Sequence, residues 1–282
     1  MIFVLSPAKS LEFETATGHL AYTQPLFVKQ AEPLIKALRK KSWRQVARLM
    51  DLSQNLAELN VARYQAWTPE FTPQNSKQSV LAFDGDVYDG LAARTLGEAD
   101  LAWAQQHLCI LSGLYGVLRP LDLMQPYRLE MGTALKVGRP DNLYQYWRTS
   151  IAPYLNQRFD GHEHASAASA TRANGPPADA RVLVNLASQE YFKSVNPQLL
   201  KARVVECVFE DFSNDAYKVL GFFAKRARGM MARFAIQNRI DSVSGLQAFA
   251  EAGYAYAVAQ SSPERLVFRR KMPINPNLGM IG

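Results

Sequence analysis

The sequence has little cysteine and little histidine, and it lacks the residue spacing that a metal site requires. Its 282 residues include 2 cysteines and 4 histidines, with no Cys-x-x-Cys pair and no two histidines at helical ligand spacing. Cys109 and Cys207 each lie in an apolar run typical of a buried strand, where a thiol usually packs as a small hydrophobe. A redox-active pair is the alternative interpretation. We expect no dedicated metal site and no cofactor, and the low cysteine content fits a reducing compartment.

Long apolar segments are also absent. No run approaches the roughly 20 residues that a membrane-spanning helix needs. The first residues contain no basic start, and Pro7 follows only a short apolar run, so a secretory signal is not indicated. We therefore expect a cytoplasmic protein that has no membrane partner.

Acidic residues are missing from one stretch near the C-terminus. The net charge is +7, and residues 181–282 hold 14 basic and 8 acidic side chains, against 18 and 17 in residues 1–180. Between Tyr217 and Arg239 there is no acid at all. A concentration of this kind attracts polyanions, although a solvated basic face is the alternative. The nucleic-acid-binding candidates in this stretch are Lys225, Arg226, Arg228 and Arg233.

Strand-like and helix-like segments alternate along the chain without a strict βαβ period. This pattern predicts an α/β (α+β) fold, with one mixed sheet flanked by helices in a single domain over residues 1–282. Residues 160–180 contain almost nothing to bury and indicate a flexible insertion. The expected strands are residues 2–5, 79–83, 108–111, 181–186, 204–209 and 217–223, and the expected helices are two or three within 24–67, then 96–106, 142–158, a turn at 188–195, and 224–240.

The segment from Trp43 to Trp67 is interpreted as two helices joined at residues 55–60. A helix-hairpin-helix module binds the DNA backbone with hairpin amides, usually around a pair of glycines, but here Glu58 and Asn60 occupy those positions. Glutamate does not favour the left-handed conformation and does not attract phosphate. An ordinary helical hairpin is therefore the competing interpretation. The cations that would contribute to binding DNA here are Lys40, Lys41, Arg44 and Arg63.

Polar residues also follow several expected strands, which is where open α/β sheets place ligands. The glycine-containing loop from Ser112 to Pro120 is either a phosphate cradle or a tight structural turn. The acidic turn at Asp84, Asp86 and Asp89 superficially resembles a calcium loop, but Thr95 stands where the closing glutamate belongs, so solvated turn acids are favoured. The candidate pocket residues are Ser6, Lys9, Ser112, Tyr115, Arg119, Tyr127, Arg128, Asn185 and Lys193.

Five segments spread over most of the chain resemble the peroxide-stress YaaA family. They are Ser6 to Lys9, Phe83 to Tyr88, Leu111 to Gly132, Asn185 to Val195 and Phe223 to Arg233. The third is the most specific, reading Leu-Ser-Gly-Leu-Tyr-Gly-Val-Leu-Arg-Pro at its start.

The resemblance implies a bacterial cytosolic protein that protects against hydrogen peroxide by limiting oxidative damage to DNA, with lower free iron as a consequence. It also implies a single-domain fold with a positively charged cleft, a helix-hairpin-helix element and affinity for duplex and branched DNA. This sequence departs from the family at Glu58, where some relatives carry glycine, and in the long insertion at 160–180.

Two functions compete at this point. The first is a DNA-binding protein of the peroxide stress response, with double-stranded or branched DNA as its partner. The second is an enzyme that acts on a nucleotide or nucleobase through the loop pocket at the strand ends, so whether the protein is an enzyme stays open. Iron sequestration ranks last, because the sequence offers no ligand set for it.

Overall fold

The computed structural model describes residues 1–18, 20–167 and 181–271. Its strands are β1 (Ile2–Leu5), β2 (Ser10–Leu11), β3 (Lys77–Gln78), β4 (Phe83–Asp84), β5 (Leu108–Ser112), β6 (Gly116–Leu118), β7 (Leu123–Met124), β8 (Val182–Leu186), β9 (Arg203–Ser213), β10 (Ala216–Lys218), β11 (Ala255–Tyr256) and β12 (Arg265–Arg270). Its helices are α1 (Val28–Arg39), α2 (Trp43–Met50), α3 (Gln54–Ala66), α4 (Ser79–Ala82), α5 (Asp86–Leu91), α6 (Glu98–His107), α7 (Leu143–Trp147), α8 (Ile151–Ala167), α9 (Gln189–Phe192), α10 (Gly221–Gln237) and α11 (Val243–Leu246).

The main sheet has eight strands and mixes parallel with antiparallel pairs. Its order is β11-β12-β9-β8-β1-β5-β6, and β10 pairs with β9 beside this path. The strands β12, β9, β8, β1 and β5 form a parallel centre, whereas β6, β10 and β11 pair antiparallel with their neighbours. The predicted α/β fold with a mixed sheet is therefore confirmed.

Within the parallel part of the sheet, the strand order reverses between β1 and β8. Numbered along the chain, the five parallel strands lie in the order 2-1-3-4-5 across the sheet, with β1 first and β8 third. In doubly wound sheets of this order, ligands bind in the crevice beside the carboxyl ends of the two strands at the switch point. That crevice lies beyond Leu5 and Leu186, which are paired in the register of β1 and β8.

The centre of the sheet is apolar because its strands are covered on both faces. Every residue of β1, β5 and β8 is buried, and a parallel sheet with two covered faces requires such continuous apolar runs. In β9 buried residues alternate with half-buried ones from Val205 onward, so that strand has one well-covered face. Phe209 on this face packs against the rings of Phe249 and Phe268.

Two glycines allow α5 and α10 to cross in close contact. A Cβ on Gly229 would overlap the carbonyl oxygen of Val87, and a Cβ on Gly90 would overlap that of Arg226. Since real side-chain atoms cannot approach so closely, each glycine is required by packing. The crossing fixes the position of the basic helix α10 relative to the turn that precedes α5.

Three segments differ from the sequence-based expectation. Residues 79–82 form the short helix α4 in place of a strand, because a short buried and mostly apolar run is compatible with either structure. The helix expected over 142–158 is divided into α7 and α8 at residues 148–150. The strand expected over 217–223 ends at Lys218, and α10 begins at Gly221.

The helical hairpin also differs from its predicted form. Residues 55–60 lie inside α3, and the connection between α2 and α3 is residues 51–53. Asp51 adopts the left-handed conformation there, with φ 51°, so an acid occupies the turn that amides would need for phosphate. The predicted insertion begins within α8, which continues to Ala167, and residues 168–180 lie outside the described residues.

Candidate functional site

Two serines lie together at the switch point. Ser6 follows β1 and Ser188 follows β8, and the Ser188 amide donates a hydrogen bond of 2.8 Å to the Ser6 hydroxyl. The two hydroxyl oxygens are 3.3 Å apart, and the Ser188 hydroxyl caps α9 by accepting from the Tyr191 amide at 3.4 Å. The Tyr88 hydroxyl donates to the Ser6 carbonyl at 3.0 Å. These bonds join the ends of the two strands at the point where a ligand is expected.

A cavity of about 490 Å³ opens beside these serines. Its volume is in the range of small-molecule sites, which are about 300–1,000 Å³. Gly85 has φ 138°, a conformation that side chains rarely adopt, and it places the acidic turn against the chain after β1. The lining consists of residues 6–10, 84–87 and 127–130, together with Ser188, Glu190, Tyr191, Lys225 and Arg228.

Positive and negative charges are balanced in the cavity lining. The cations are Lys9, Arg128, Lys225 and Arg228, and the acids are Asp84, Asp86, Glu130 and Glu190. This cavity is therefore not the positively charged cleft that the resemblance implied.

Some of these charges neutralise one another. Glu130 pairs with Lys9 at 3.2 Å and with Arg128 at 2.9 Å. Lys225 lies 3.8 Å from Asp86. Lys9 and Lys225 are exposed, and ion pairs of exposed lysines contribute little stability, so a charged ligand can compete for these two side chains.

Arg228 and Asp84 have no such partner. Within residues 1–18, 20–167 and 181–271, neither side chain forms a hydrogen bond or an ion pair, and Arg228 is half-buried. Burial lowers the pKa of the Arg228 guanidinium, and the negative charge of Glu206 opposes that shift. Arginine still remains charged in proteins, so a partly desolvated cation faces the cavity without a counter-ion in contact. Glu190 uses one carboxylate oxygen to accept the Gly132 amide at 2.9 Å.

Buried tyrosines support one side of the cavity. Tyr127 and Tyr191 line it and are 5% and 8% exposed, and Tyr88 packs behind them. Burial raises the pKa of each of these three hydroxyls above its ordinary value, so all are protonated at neutral pH. The Tyr127 hydroxyl is 2.5 Å from that of Ser112. This side of the cavity thus combines aromatic surface with neutral polar atoms.

The structure brings together residues from both sets of sequence-based candidates. Of the predicted pocket residues, those that line the cavity are Ser6, Lys9, Tyr127 and Arg128, and the predicted DNA-binding residues Lys225 and Arg228 line it too. Sequence reasoning missed Ser188, Glu190 and Tyr191, although a serine directly after a buried strand is a recognisable helix-capping signal. It interpreted Asp84 and Asp86 only as solvated turn acids.

The other pocket candidates do not line this cavity. Ser112 and Tyr115 are fully buried, and the Ser112 hydroxyl accepts from the Tyr115 amide at 3.0 Å. Arg119 pairs with the buried Asp122 at 2.8 Å. Asn185 is buried and accepts from the Ala187 amide at 2.9 Å, and Lys193 is exposed with its ammonium over the ring of Tyr144.

Gly113 explains why the Ser112 loop is a packed turn. A Cβ at this position would overlap the Leu129 carbonyl oxygen, so the glycine allows close approach to the protein's own backbone. The structural interpretation of this loop is therefore favoured over a phosphate cradle.

The remaining basic candidates fall into different environments. Arg226 is exposed and borders a second cavity of about 450 Å³, whereas Arg233 donates to the carbonyls of Leu91 and Ala92 and so caps α5. Arg63 is half-buried and donates to Asn60 at 3.4 Å. Lys40 and Arg44 are exposed, Lys41 is half-buried, and Arg44 stacks on the Trp43 ring at 4.5 Å.

The described residues contain neither a cluster of metal ligands nor a helix that could span a membrane. No group of three or more histidine, cysteine, aspartate or glutamate side chains there is arranged to hold a metal ion. None of the helices described is both long enough and apolar enough to cross a membrane.

Fold and site together define an α/β protein whose parallel sheet has a cavity of ligand size at its topological switch point. The sequence model of the family described as "Peroxide stress protein YaaA" matches residues 1–260. The chain belongs to this family.

Similar proteins extend over nearly the whole chain. A "UPF0246 protein" of Polaromonas naphthalenivorans is 58% identical over 270 residues, covering 96% of this chain and 98% of its own length. One from Delftia acidovorans is 57% identical over 272 residues, covering 96% and 99%. Another from Albidiferax ferrireducens is 55% identical over 275 residues, covering 98% and 100%.

Proposed function

We propose that this member of the peroxide stress family binds DNA and protects it from peroxide- and iron-driven damage. The observation that carries the proposal is the pair of adjacent cations Lys225 and Arg226, both open to solvent on α10, a helix whose own sequence contains no acid. Clustered cations on one helix are the electrostatic footprint of a polyanion site. Because bacterial DNA lies in the cytosol, the proposal implies a cytoplasmic location.

The mode of contact follows from these residue types. Lysine and arginine neutralise phosphates and release counterions without reading bases. We therefore expect the affinity for DNA to fall steeply with salt concentration and to show only a slight sequence preference. Lys40 and Arg44 offer a second exposed group of cations near the α1–α2 junction. Asp51 in the turn between α2 and α3 means that this region contributes side-chain charges, not hairpin amides.

The helical region is linked to the cavity wall. The Tyr64 hydroxyl on α3 donates to the Arg128 carbonyl at 2.5 Å, and Arg39 on α1 donates to the Tyr64 carbonyl at 2.7 Å. DNA contact at α1 to α3 would therefore act on the segment that forms one side of the cavity.

A salt-titrated binding assay with a fluorescent duplex tests the proposal. With four to six phosphate contacts, the slope of log K against log salt should be about −4 to −5. The double variant Lys225→Glu with Arg226→Glu should weaken binding at least tenfold and flatten the slope. The matched control Arg148→Glu with Lys201→Glu makes the same charge change at exposed sites outside α10. Equal losses in both variants would mean that net charge alone controls binding, and a flat salt response of the native protein would remove the mechanism.

The second candidate, an enzyme that acts on a nucleotide or nucleobase, is favoured by the position of the cavity at the switch point. Incubation with nucleotides and nucleosides, followed by mass spectrometry, would reveal a product. The double variant Ser6→Ala with Tyr127→Phe, which retains the aromatic ring, should abolish product formation if the cavity is catalytic. Turnover that persists in the double variant, or the absence of turnover by the native protein, would remove this candidate.

A further inference from the structure

We propose that the cavity beside Ser6 and Ser188 binds one nucleoside monophosphate unit, with its phosphate on Arg228 and its base against Tyr127 and Tyr191. The site shares Lys225 with the exposed face of α10 that the proposed DNA contact uses, but Arg228, Tyr127 and Tyr191 are not part of that contact. The inference therefore goes beyond that function and does not depend on it.

Arg228 supplies the anion subsite. It is the half-buried cation of the lining that has no hydrogen bond or ion pair within the described part of the chain, whereas Lys9, Arg128 and Lys225 each have an acid within 4 Å. Burying a charge without a partner is unfavourable, and an arriving phosphate would relieve that cost with two parallel hydrogen bonds. Helix α10 holds this side chain in place because Gly229, its neighbour, is packed against α5.

The acids of the lining limit which anions fit. Asp84 has no partner in the described residues, and Glu190 leaves one oxygen free. Both side chains are exposed to solvent, and a carboxylate only accepts hydrogen bonds, so a ligand that brings donors as well as negative charge is favoured over a simple anion. At neutral pH sulfate and simple dicarboxylates have no hydrogen-bond donors, and inorganic phosphate has few. The amino and ring N–H groups of a base and the hydroxyls of a sugar supply them.

The tyrosines complete the fit. Tyr127 and Tyr191 line the cavity wall with the small part of each side chain that is exposed, and contact with aromatic side chains is a general way to hold a base. A cavity of about 490 Å³ is much larger than a phosphate ion requires and is suitable for a ligand with a ring, a sugar and a phosphate. A nucleotide unit is thus the ligand class that satisfies charge, donors, shape and size together.

Such a unit can come from two sources, a free nucleotide or an unpaired nucleotide of a DNA strand. Lys225 lines the cavity and is also exposed, so it joins the cavity to the outer surface of α10. A strand held on that surface would lie beside the cavity mouth. The two sources share one chemistry and are separated by the experiment.

Calorimetric titration of the full chain with dAMP, dGMP, dCMP and dTMP tests the ligand class, with the nucleosides and inorganic phosphate as comparisons. We expect nucleotides to bind at least tenfold more tightly than either comparison. Arg228→Ala should weaken nucleotide binding at least tenfold and nucleoside binding less than twofold, and Arg228→Lys should restore part of the loss. Arg226→Ala, on the same helix but outside the cavity lining, should leave nucleotide binding within twofold while weakening duplex binding. Absence of nucleotide binding, or equal affinity for phosphate and nucleotides, would overturn the proposal.

The source is identified with two fluorescent DNAs, a perfect duplex and the same duplex with one bulged nucleotide. If the ligand is part of DNA, the bulge should increase affinity severalfold, and Arg228→Ala should remove that increase while leaving perfect-duplex binding unchanged. If the bulge has no effect but the mononucleotides bind, the ligand is a free nucleotide. Salt-dependent duplex binding that persists without mononucleotide or bulge binding would contradict this inference alone and leave the proposed DNA function intact.

Discussion

The loop from Ser112 to Tyr127 and the cavity beside Ser6 and Ser188 lie at neighbouring strand ends of one sheet, yet they use polar residues in opposite ways. In the loop, Ser112, Tyr115 and Arg119 all hydrogen-bond to the protein itself. In the cavity, Arg228 is without such a partner in the described chain. The comparison teaches that the type of a polar residue at a strand end does not show whether the residue stabilises the fold or binds a ligand. What distinguishes the two roles is whether the side chain already has a partner within the protein.

The largest effect is expected where both regions depend on the same scaffold, the crossing of α5 and α10. Gly229→Ala should lower the free energy of unfolding by more than about 3 kcal/mol, because the added methyl overlaps the Val87 carbonyl and forces the helices apart. Chemical denaturation measures this change. Gly221→Ala on the same helix is the control, since a Cβ there meets no atom within 4 Å. Because alanine favours a helix more than glycine does, Gly221→Ala should not destabilise the protein, and similar losses in both variants would show that the close crossing is not the cause.

The next effect contrasts the two arginines. Arg119→Ala should cost about 2 to 3 kcal/mol, because it leaves the buried carboxylate of Asp122 without its cation. Arg228→Ala should change stability by less than about 1 kcal/mol, since it removes a half-buried charge that contacts no counter-ion among the described residues. Thermal unfolding and nucleotide titration of both variants make the comparison. The opposite pattern, with stability lost at Arg228 and ligand binding lost at Arg119, would reverse the roles assigned to the two regions.

A smaller effect is expected where the regions touch, at the hydrogen bond between Ser112 and Tyr127. Tyr127→Phe keeps the ring packed against Phe83 and Tyr115 but deletes the hydroxyl, so it should cost about 1 kcal/mol. Thermal unfolding is the measurement. Duplex affinity should not change, and Ser112→Ala should cost more than Tyr127→Phe, because it also removes the acceptor of the Tyr115 amide. A double variant that loses no more than Ser112→Ala alone would confirm that Tyr127 acts through its bond to Ser112.

The smallest effect is expected when the folded protein is treated with hydrogen peroxide, which should leave both cysteines unoxidised. Burial raises the pKa of Cys109 to about 11 and that of Cys207 to about 12, so both are protonated thiols at pH 7. The thiolate is the reactive form, and both side chains are closed to solvent. Mass spectrometry should therefore find neither residue oxidised in the folded protein at moderate peroxide and both alkylated after denaturation. Rapid oxidation in the folded state would revive the redox-active pair.

Local chemistry was sufficient to predict several elements. The apolar run before Pro7 is β1, the run before Ser112 is β5, and the strand expected from Arg181 is β8, one residue later. Each is a mostly apolar stretch that ends near a polar residue or a proline. This pattern is typical of a parallel strand covered on both faces of the sheet. Apolar spacing also predicted two or three helices within residues 24–67, and the structure has three, but the hairpin connection lies at residues 51–53 and not at 55–60.

Other elements depended on neighbours that local patterns do not identify. Residues 79–82 are apolar enough for a strand, but the chain on either side pairs with β7 and β2, which leaves a single helical turn between them. Arg233 reads as a free cation within the basic stretch, yet it caps α5 because two glycines bring that helix close. The single-domain arrangement of the whole chain stays a prediction.

By itself, the sequence determined the strand and helix content, the concentration of positive charge in α10 and membership of the peroxide stress family, because these are properties of composition and local order. Only the tertiary structure decided which polar residues are available to a ligand. Ser6 and Ser188 are 182 positions apart and meet because β1 and β8 are adjacent at the switch point. Arg228 joins them because Gly229 and Gly90 let α10 cross α5. Strand pairing and close packing between distant parts of the chain decide which polar groups bond to one another. They also decide which groups, such as Arg228, face the cavity without a hydrogen bond in the described chain.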